Sequence, residues 1–411
     1  LPEVEDQPFD SKKDEIDPPA ALVLLLAASC GLIVANLYYA QPLIELIAPD
    51  VGLSRAAESL IVTLTQLGYC LGLMLLVPLG DLVENRALTV LTISGAALAL
   101  LGECLAPSPA WLLAGALGIG MGSASAQMLV PIAAHLAPDA SRGRVVGNVM
   151  SGLLAGIMLA RPVASLLAHA FGWRAVFAGS AVLMVLLALV LRRLLPRRRP
   201  HSSHSYPALI GSLFVLLRRS PILRRRSIYQ TAAFATFSLF WTAVPLELSA
   251  APYHYTQRGI ALFAFVGAAG ALAAPIAGRL ADLGWGRAGT GAALVGMIVA
   301  FLVGSRGADG SMLSLVVTAV LLDFAVQSNM VFSQRAIYSE AAHARSRMTG
   351  IFIAIIFVGG AVGSAIASSA FLAGGWTLIC RLGAIAPLAA LVAYATEFVP
   401  AGRLSRAGSG S

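Results

Sequence analysis

Residues 172–199 read GWRAVFAGSAVLMVLLALVLRRLLPRRR. No ionisable side chain interrupts the run from Ala175 to Val190, and the arginines Arg192, Arg193, Arg197, Arg198 and Arg199 follow at once. An uncharged apolar stretch of this length closed by a basic cluster is the pattern of a transmembrane helix that stops at an anionic headgroup layer. Beyond it, residues 196–226 are rich in Arg, Pro, Ser and His and form the longest break in the hydrophobic pattern.

Similar apolar runs recur on both sides of that break. They predict spans over residues 20–48, 58–79, 87–106, 109–137, 147–170 and 172–195 before it, and over 227–250, 258–280, 288–305, 311–337, 348–374 and 376–399 after it. Composition agrees: 58% of 411 residues are hydrophobic, enough for about twelve crossings at ~20 residues each. Only 12% are charged, and the mean hydropathy is +0.82, which excludes a soluble globular protein. Runs of this length, without period-two alternation, select helices over a β-barrel.

The net charge of +8 does not point to nucleic acid, because the basic residues sort by membrane side. With both termini inside, Arg55, Arg174, Arg258, Arg306 and Arg381 fall on the outer side and Arg161 falls within a span; every other Lys and Arg is cytoplasmic. Residues 1–19 are an acidic tail, the opposite of a secretory signal's basic start, and 400–411 a second cytoplasmic tail. The linker arginines are expected to lie against anionic lipid headgroups. Cys30, Cys70, Cys104 and Cys380 stand singly in apolar runs, so neither a disulfide framework nor a metal site is expected.

Short signatures repeat in the same order. Pro42-Leu43-Ile44-Glu45-Leu46 echoes Pro245-Leu246-Glu247-Leu248; Asp81 and Arg86 match Asp282 and Arg287; Gln127 matches Gln327. Arg142-Gly143-Arg144 matches Arg345-Ser346-Arg347, and Gly172-Trp173 matches Gly375-Trp376, all at offsets of 200 to 203. The expected fold is therefore an all-α polytopic membrane protein of twelve helices in two parallel six-helix repeats, 20–195 and 227–399, with a substrate site at their interface near mid-membrane.

These residues resemble the major facilitator superfamily, and within it the bacterial drug and metabolite efflux branch that includes arabinose-efflux-like permeases. Asn36-Leu37-Tyr38-Tyr39-Ala40-Gln41-Pro42-Leu43, Thr63–Tyr69, Val77–Arg86, Gly172–Phe177 and Leu322–Gln327 carry the likeness. The superfamily's loop after span two usually reads Gly-x-x-x-Asp-Arg-x-Gly-Arg-Arg; Val77 and Leu82 replace its first Gly and first basic residue, while Asp81 and Arg86 remain. Its second copy keeps Gly278, Asp282 and Arg287. The antiporter pattern of span five is altered to Ala160-Arg161-Pro162.

Lysine is absent beyond Lys13, so no P-loop can occur and the driving force must come from a gradient or a partner. Gly118-Ile119-Gly120-Met121-Gly122, Gly68-x-x-x-Gly72 and Gly359-x-x-x-Gly363 read as close helix packing. No clustered nucleophile, base or HExxH argues for an enzyme, and no cofactor is expected.

A charge at the bilayer centre costs at least about 2.5 kcal/mol and marks a pathway or a pair. Asp323 lies ~18 Å and Arg161 ~14 Å from the outer ends of their spans. Asp323 is expected to couple protons beside Arg161; a permanent bridge between the two is the bland alternative. Asn36, Tyr39, Gln41, Gln66, Tyr69, Gln127, Trp241, Gln327 and Asn329 supply polar and aromatic groups for a cavity. Glu247 joins them because span seven resembles a cavity-lining helix of the family. The resemblance also implies a conformational switch on the cytoplasmic side, in which Asp81 and Asp282, in loops that also carry Arg86 and Arg287, are bridged by Arg142, Arg144, Arg345 and Arg347 in the outward-open state and released when the inside opens. What it implies overall is a monomeric, multi-pass inner-membrane transporter that exports a small organic solute by alternating access and proton antiport. A proton-coupled uptake symporter or facilitator is the alternative.

Overall fold

The computed structural model describes residues 17–138, 141–199, 205–340 and 345–398, without the side chains of 268, 269, 271, 272, 345 and 346. Most of the acidic tail, the tail after residue 399 and the Arg345 side chain lie outside that description. Among the described residues there are sixteen α-helices and no strand.

The first set comprises α1 (Ala20–Ala35), α2 (Ile44–Asp50), α3 (Leu60–Leu75), α4 (Asn85–Cys104), α5 (Pro109–Ser123), α6 (Ser125–Leu136), α7 (Arg142–Phe171) and α8 (Trp173–Leu194). After α9 (Tyr206–Arg219) come α10 (Pro221–Ser249), α11 (Gln257–Ala264), α12 (Ala273–Asp282), α13 (Gly286–Gly304), α14 (Met312–Glu340), α15 (Arg345–Ala365) and α16 (Ala367–Ala395). Ten continuous helical stretches among the described residues are long and apolar enough to cross a membrane. The other two expected spans are present but broken.

Each break has a local cause. Span one leaves the α-helix after Ala35 and re-forms through a 3-10 turn at Gln41–Leu43, where Pro42 has no N–H to give to a helix. Span eight is α11, a 3-10 segment Phe265–Leu272 carrying Gly267 and Gly270, and α12, whose third residue is Pro275. Spans eleven and twelve meet inside α16 at Gly374 and Gly375, where Gly375 has φ +58°. Gly172 at the matching joint between α7 and α8 has φ +82°.

The linker carries secondary structure of its own. It contains α9, which buries Leu209 and Leu213, and its last arginines open α10, capped by Ser220 Oγ accepting from Leu223 N at 2.9 Å. Hydrophobic residues at helical spacing within the Arg-rich stretch form the helix. Tyr206 Oη donates to the Leu75 carbonyl at 2.8 Å and Arg347 to Ser212 Oγ at 3.3 Å, so α9 is tied to both sets of helices.

Within the first set α1 packs on α7, α3 on α5, and α4 on α5 and α8; within the second, α10 packs on α14, α15 and α16, and α13 on α14 and α16. Across the sets, α3 meets α15, α7 meets α11, and the Gln41–Leu43 turn meets α10. Cross-set hydrogen bonds gather away from the linker: Thr63 Oγ1 to Ser364 Oγ at 3.0 Å, Ser59 Oγ to the Ala365 carbonyl at 3.4 Å, and Gln66 Nε2 to Ser238 Oγ at 2.8 Å. The linker face instead holds a cavity of about 190 Å³ between α3, α6, α9 and α15. This conformation is sealed on the far face and hollow on the linker face.

Glycine makes the tightest packings. A Cβ on Gly156 would lie 2.1 Å from the Gly31 carbonyl oxygen, one on Gly120 2.0 Å from that of Thr65, and one on Gly363 2.0 Å from that of Ala235. Backbone cannot yield as a flexible side chain does. Gly120→Val is expected to destabilise by at least about 1–3 kcal/mol. Gly179→Ala, where a Cβ meets open space, should leave the melting temperature in detergent near wild type; equal melting of the two variants would contradict the packing.

Candidate functional site

The broken spans bring a charged group from each set of helices to the centre. Arg161 sits on α7 directly before Pro162 and is 5% exposed. Its Nε donates to Gln41 Oε1 at 2.7 Å, an acceptor delivered by the turn that interrupts span one. Its guanidinium carbon lies 4.8 Å from the Tyr38 ring centroid, 4.6 Å from Trp241 and 5.2 Å from Phe237. Three aromatic faces therefore take over part of the solvation that water would give the cation. Among the described residues no carboxylate forms an ion pair with it.

Asp323 lies on α14, 6% exposed, and its Oδ1 accepts from Trp241 Nε1 at 2.8 Å. The indole thus stands between the two charges, touching the cation with its face and the anion with its N–H. Direct bridging of Arg161 to Asp323 is not what the structure holds. Rise along a helix gives depth but not azimuth, so matched depths left room for the indole.

Span eight closes the site from a third side. A Cβ on Gly270 would lie 2.5 Å from Asp323 Cβ, and one on Gly267 2.6 Å from the Trp241 ring and 2.9 Å from Asp323 Oδ2. Only a glycine backbone lets the 3-10 segment approach this closely. The remaining cavity, lined by Arg161, Phe237, Gly267, Gly270, Asp323 and Gln327 among others, holds about 30 Å³. That is one water's share of liquid volume and too little for a solute, so the centre is occluded here.

Other residues expected in the cavity are distributed differently. Gln41, Trp241 and Gln327 are at the centre. Gln66 bonds across the sets to Ser238, and Gln127 Nε2 donates to Tyr69 Oη at 3.3 Å while also lining the linker-face cavity. Asn36 is spent within the first set, accepting from Ser180 Oγ at 2.5 Å, and Tyr39 is buried nearby in the same core. Asn329 donates to Gln230 Oε1 at 2.6 Å between α14 and α10. Glu247 is buried on α10 but does not line the central cavity. Tyr38, Phe237, Gly267 and Gly270 were missed; a Gly pair before a proline in span eight was the signal available for the last two.

The switch residues pair with partners other than those expected. Asp282 accepts from Arg335 on α14, and Arg287 Nε lies 3.3 Å from Glu397 Oε2. Arg144 pairs with Asp17 at 2.7 Å, Arg86 with Glu84 at 3.4 Å, and Arg142 Nε donates to the Ala134 carbonyl at 3.0 Å. Arg347 goes to Ser212, whereas Asp81 lines the linker-face cavity with no ion pair among the described residues. Loop spacing does not choose between neighbours within reach of a long arginine side chain.

Two sets of membrane-length helices around a buried charged centre define a multi-pass membrane protein, and the relatives it matches are transporters. The family model described as Major Facilitator Superfamily matches residues 23–364, and the chain belongs to that family. It is 42% identical over 380 residues to the uncharacterized transporter YgaY of Escherichia coli O157:H7, covering 92% of this chain and 96% of that one. It is 34% identical over 374 residues to the probable transporter SCO4007 of Streptomyces coelicolor, covering 88% and 84%. In fold it is similar to the crystal structure of the nucleoside transporter NupG, with a TM-score of 0.72 at 13% identity over 92% of this chain and 100% of that one.

One tie on the far face makes a pH prediction. Asp50 Oδ2 accepts from Arg174 and, at 2.9 Å, from Trp173 Nε1, and these bonds hold its carboxyl below its ordinary value. A lowered folded-state pKa contributes stability above the unfolded carboxylate range, lost as pH falls through the lowered value. Asp50→Asn is therefore expected to reduce the melting temperature at pH 7 and to narrow its difference from wild type on acidification; a constant difference down to pH 3 would refute the assignment.

Proposed function

We propose that this chain is a proton-coupled secondary transporter that carries a small organic solute across a bacterial inner membrane by alternating access. The bundles 20–195 and 227–399 are the moving bodies, and residues 196–226 join them on the cytoplasmic side. The observation that carries this reading is Asp323: a carboxylate buried at the junction of the two sets, with one hydrogen bond, beside a cavity shared with Arg161. No P-loop can form, which leaves a gradient or a partner as the source of work, and a buried carboxylate suits a proton gradient.

Asp323 is the proton site in this reading. Protonation removes a buried charge, and the Trp241 bond and the distance to Arg161 set how readily that happens. The linker face is cytoplasmic by the distribution of arginines, so in this reading the described conformation is hollow on the cytoplasmic side with its centre occluded. On that face Asp282–Arg335 and Arg287–Glu397 are ties within the second bundle; exposed pairs of this kind contribute about 0–1 kcal/mol each, so they are weak enough to exchange partners when the bundles move. Both termini face the cytoplasm, the linker arginines meet anionic headgroups, and the monomer is the working unit.

Export in exchange for protons is the direction that the likeness to the efflux branch implies. Uptake or export of an anion together with a proton is the second reading, and it is favoured by one observation: Arg161 Nη2 is buried with no hydrogen-bond partner.

A thermal-shift screen of drugs, sugars, nucleosides, amino acids and carboxylates identifies the solute, since ligand at 100 times its Kd stabilises the bound state by about 2.7 kcal/mol. In proteoliposomes Asp323→Asn is then expected to lose the response to an imposed pH gradient by tenfold or more while retaining solute exchange. Gradient-driven transport at the wild-type rate would remove Asp323 from the coupling role.

A further inference from the structure

Arg161 Nη2 and Gln41 Nε2 are donors on two directly bonded side chains, and both are buried without a hydrogen-bond partner. Arg161 is 5% exposed and Gln41 is fully buried. Unsatisfied buried donors are uncommon, and a buried cation without a contacting anion is more so. The aromatic faces of Tyr38, Phe237 and Trp241 compensate the charge but accept no conventional hydrogen bond in the guanidinium plane. Asp323, the one acid at the centre among the described residues, is held off by Trp241. The site is therefore short of a negatively charged acceptor.

We infer that the central site takes an organic anion, a carboxylate whose oxygens accept from Arg161 Nη2 and Gln41 Nε2 and whose apolar body rests on Tyr38, Phe237 and Trp241. A planar carboxylate suits the guanidinium fork, and the rings suit an aromatic or short aliphatic body. The cavities touching Arg161 hold about 30 Å³ and about 10 Å³, so the anion enters only when the bundles part, as alternating access requires.

The sign of coupling follows from the charge. Resting on the reading of Asp323 as the proton site, a second negative charge on Arg161 withdraws part of the cation's support from Asp323 and so favours its protonation. By reciprocity, protonation of Asp323 tightens the anion. A cation would compete with the proton; an anion recruits it. Few other groups enter this balance. The Phe265–Leu272 segment brings no ionisable side chain against Asp323, α10 brings Trp241, α7 brings Arg161, and Tyr38 is the remaining titratable group at the cluster. Glu247 stands six residues beyond Trp241 on α10, ~9 Å by helical rise. The proton then travels with the solute, which selects the second coupling reading above over exchange.

The test uses matched probes on the full-length protein in detergent: benzoate, benzyl alcohol and benzylamine, and butyrate, butanol and butylamine. Binding is read by Trp fluorescence and thermal shift, and proton movement by a pH electrode in weak buffer. The anions are expected to bind at least tenfold more tightly than their neutral and cationic partners, with proton uptake, and to weaken by up to tenfold per pH unit on the alkaline side. Arg161→Gln should cost the anions tenfold or more, and Arg161→Lys, which keeps the charge if the neutral variant fails to fold, should restore part of the preference. Equal or tighter binding of an amine or alcohol, indifference of the anions to Arg161→Gln, or no response to any probe overturns the anion site. Asp323→Asn separates the two ideas: anion binding without proton uptake supports both, whereas persisting proton uptake leaves the anion site standing and removes Asp323 as the proton site.

Discussion

Hydrocarbon supplies no hydrogen bonds, so a chain that lives in it must pair its backbone within each helix and shelter every departure from helical form inside the protein. The departures here are few and lie where other helices cover them. Asn36–Ala40 and the following turn are buried against α7 and α10, and Phe265–Leu272 lies against α14 and α7. Each break brings to the centre what an unbroken helix would not: Gln41 as an acceptor for Arg161 in one case, and a glycine backbone pressed against Asp323 in the other.

The charged centre obeys the same constraint at the level of side chains. Arg161 has replaced water with an amide oxygen and three rings, and Asp323 has replaced it with an indole N–H. Trp241 is the hinge of this arrangement because one side chain solvates both signs of charge. Its neighbours Phe237 and Phe240 pack around it, with ring centroids 6.4 Å and 5.4 Å away, so packing as well as its contacts with the two charges holds it. Packing to native density fixes such a ring in place, and with it the distance between the two ionisable groups.

Stability elsewhere comes from backbones in close approach. Three helix pairs, α1 with α7, α3 with α5, and α10 with α15, use glycine to bring carbonyl oxygens within reach of the facing helix. Small residues are the means of association where no hydrophobic effect drives helices together. Contacts between the two sets of helices are concentrated on the face away from the linker, where serine, threonine and glutamine side chains bond across. The linker face is joined mainly through α9, whose Tyr206 holds one set and whose Ser212 meets Arg347 of the other.

Much of the fold was legible in the sequence because composition, run length and charge asymmetry are one-dimensional quantities that the bilayer reads directly. Gly172-Trp173 and Gly375-Trp376 marked equivalent joints, and in the structure Trp173 bonds to Asp50 while Trp376 Nε1 donates to the Gly304 carbonyl at 2.8 Å. The candidate site was only partly legible. Arg161 and Asp323 stood out because ionisable residues are rare inside apolar runs, yet the indole between them did not, since aromatic residues are ordinary there. Arg335 as the partner of Asp282 was likewise invisible to spacing alone, whereas the helix in the basic linker has its apolar residues at helical spacing. By itself the sequence determined the solvent, the number of crossings, the division into two bundles and the identity of the rare buried charges. Only the tertiary structure decided which faces of those helices meet, and therefore which group stands beside which charge, because rotation of a helix about its own axis is set by packing against its neighbours and leaves no mark on hydropathy.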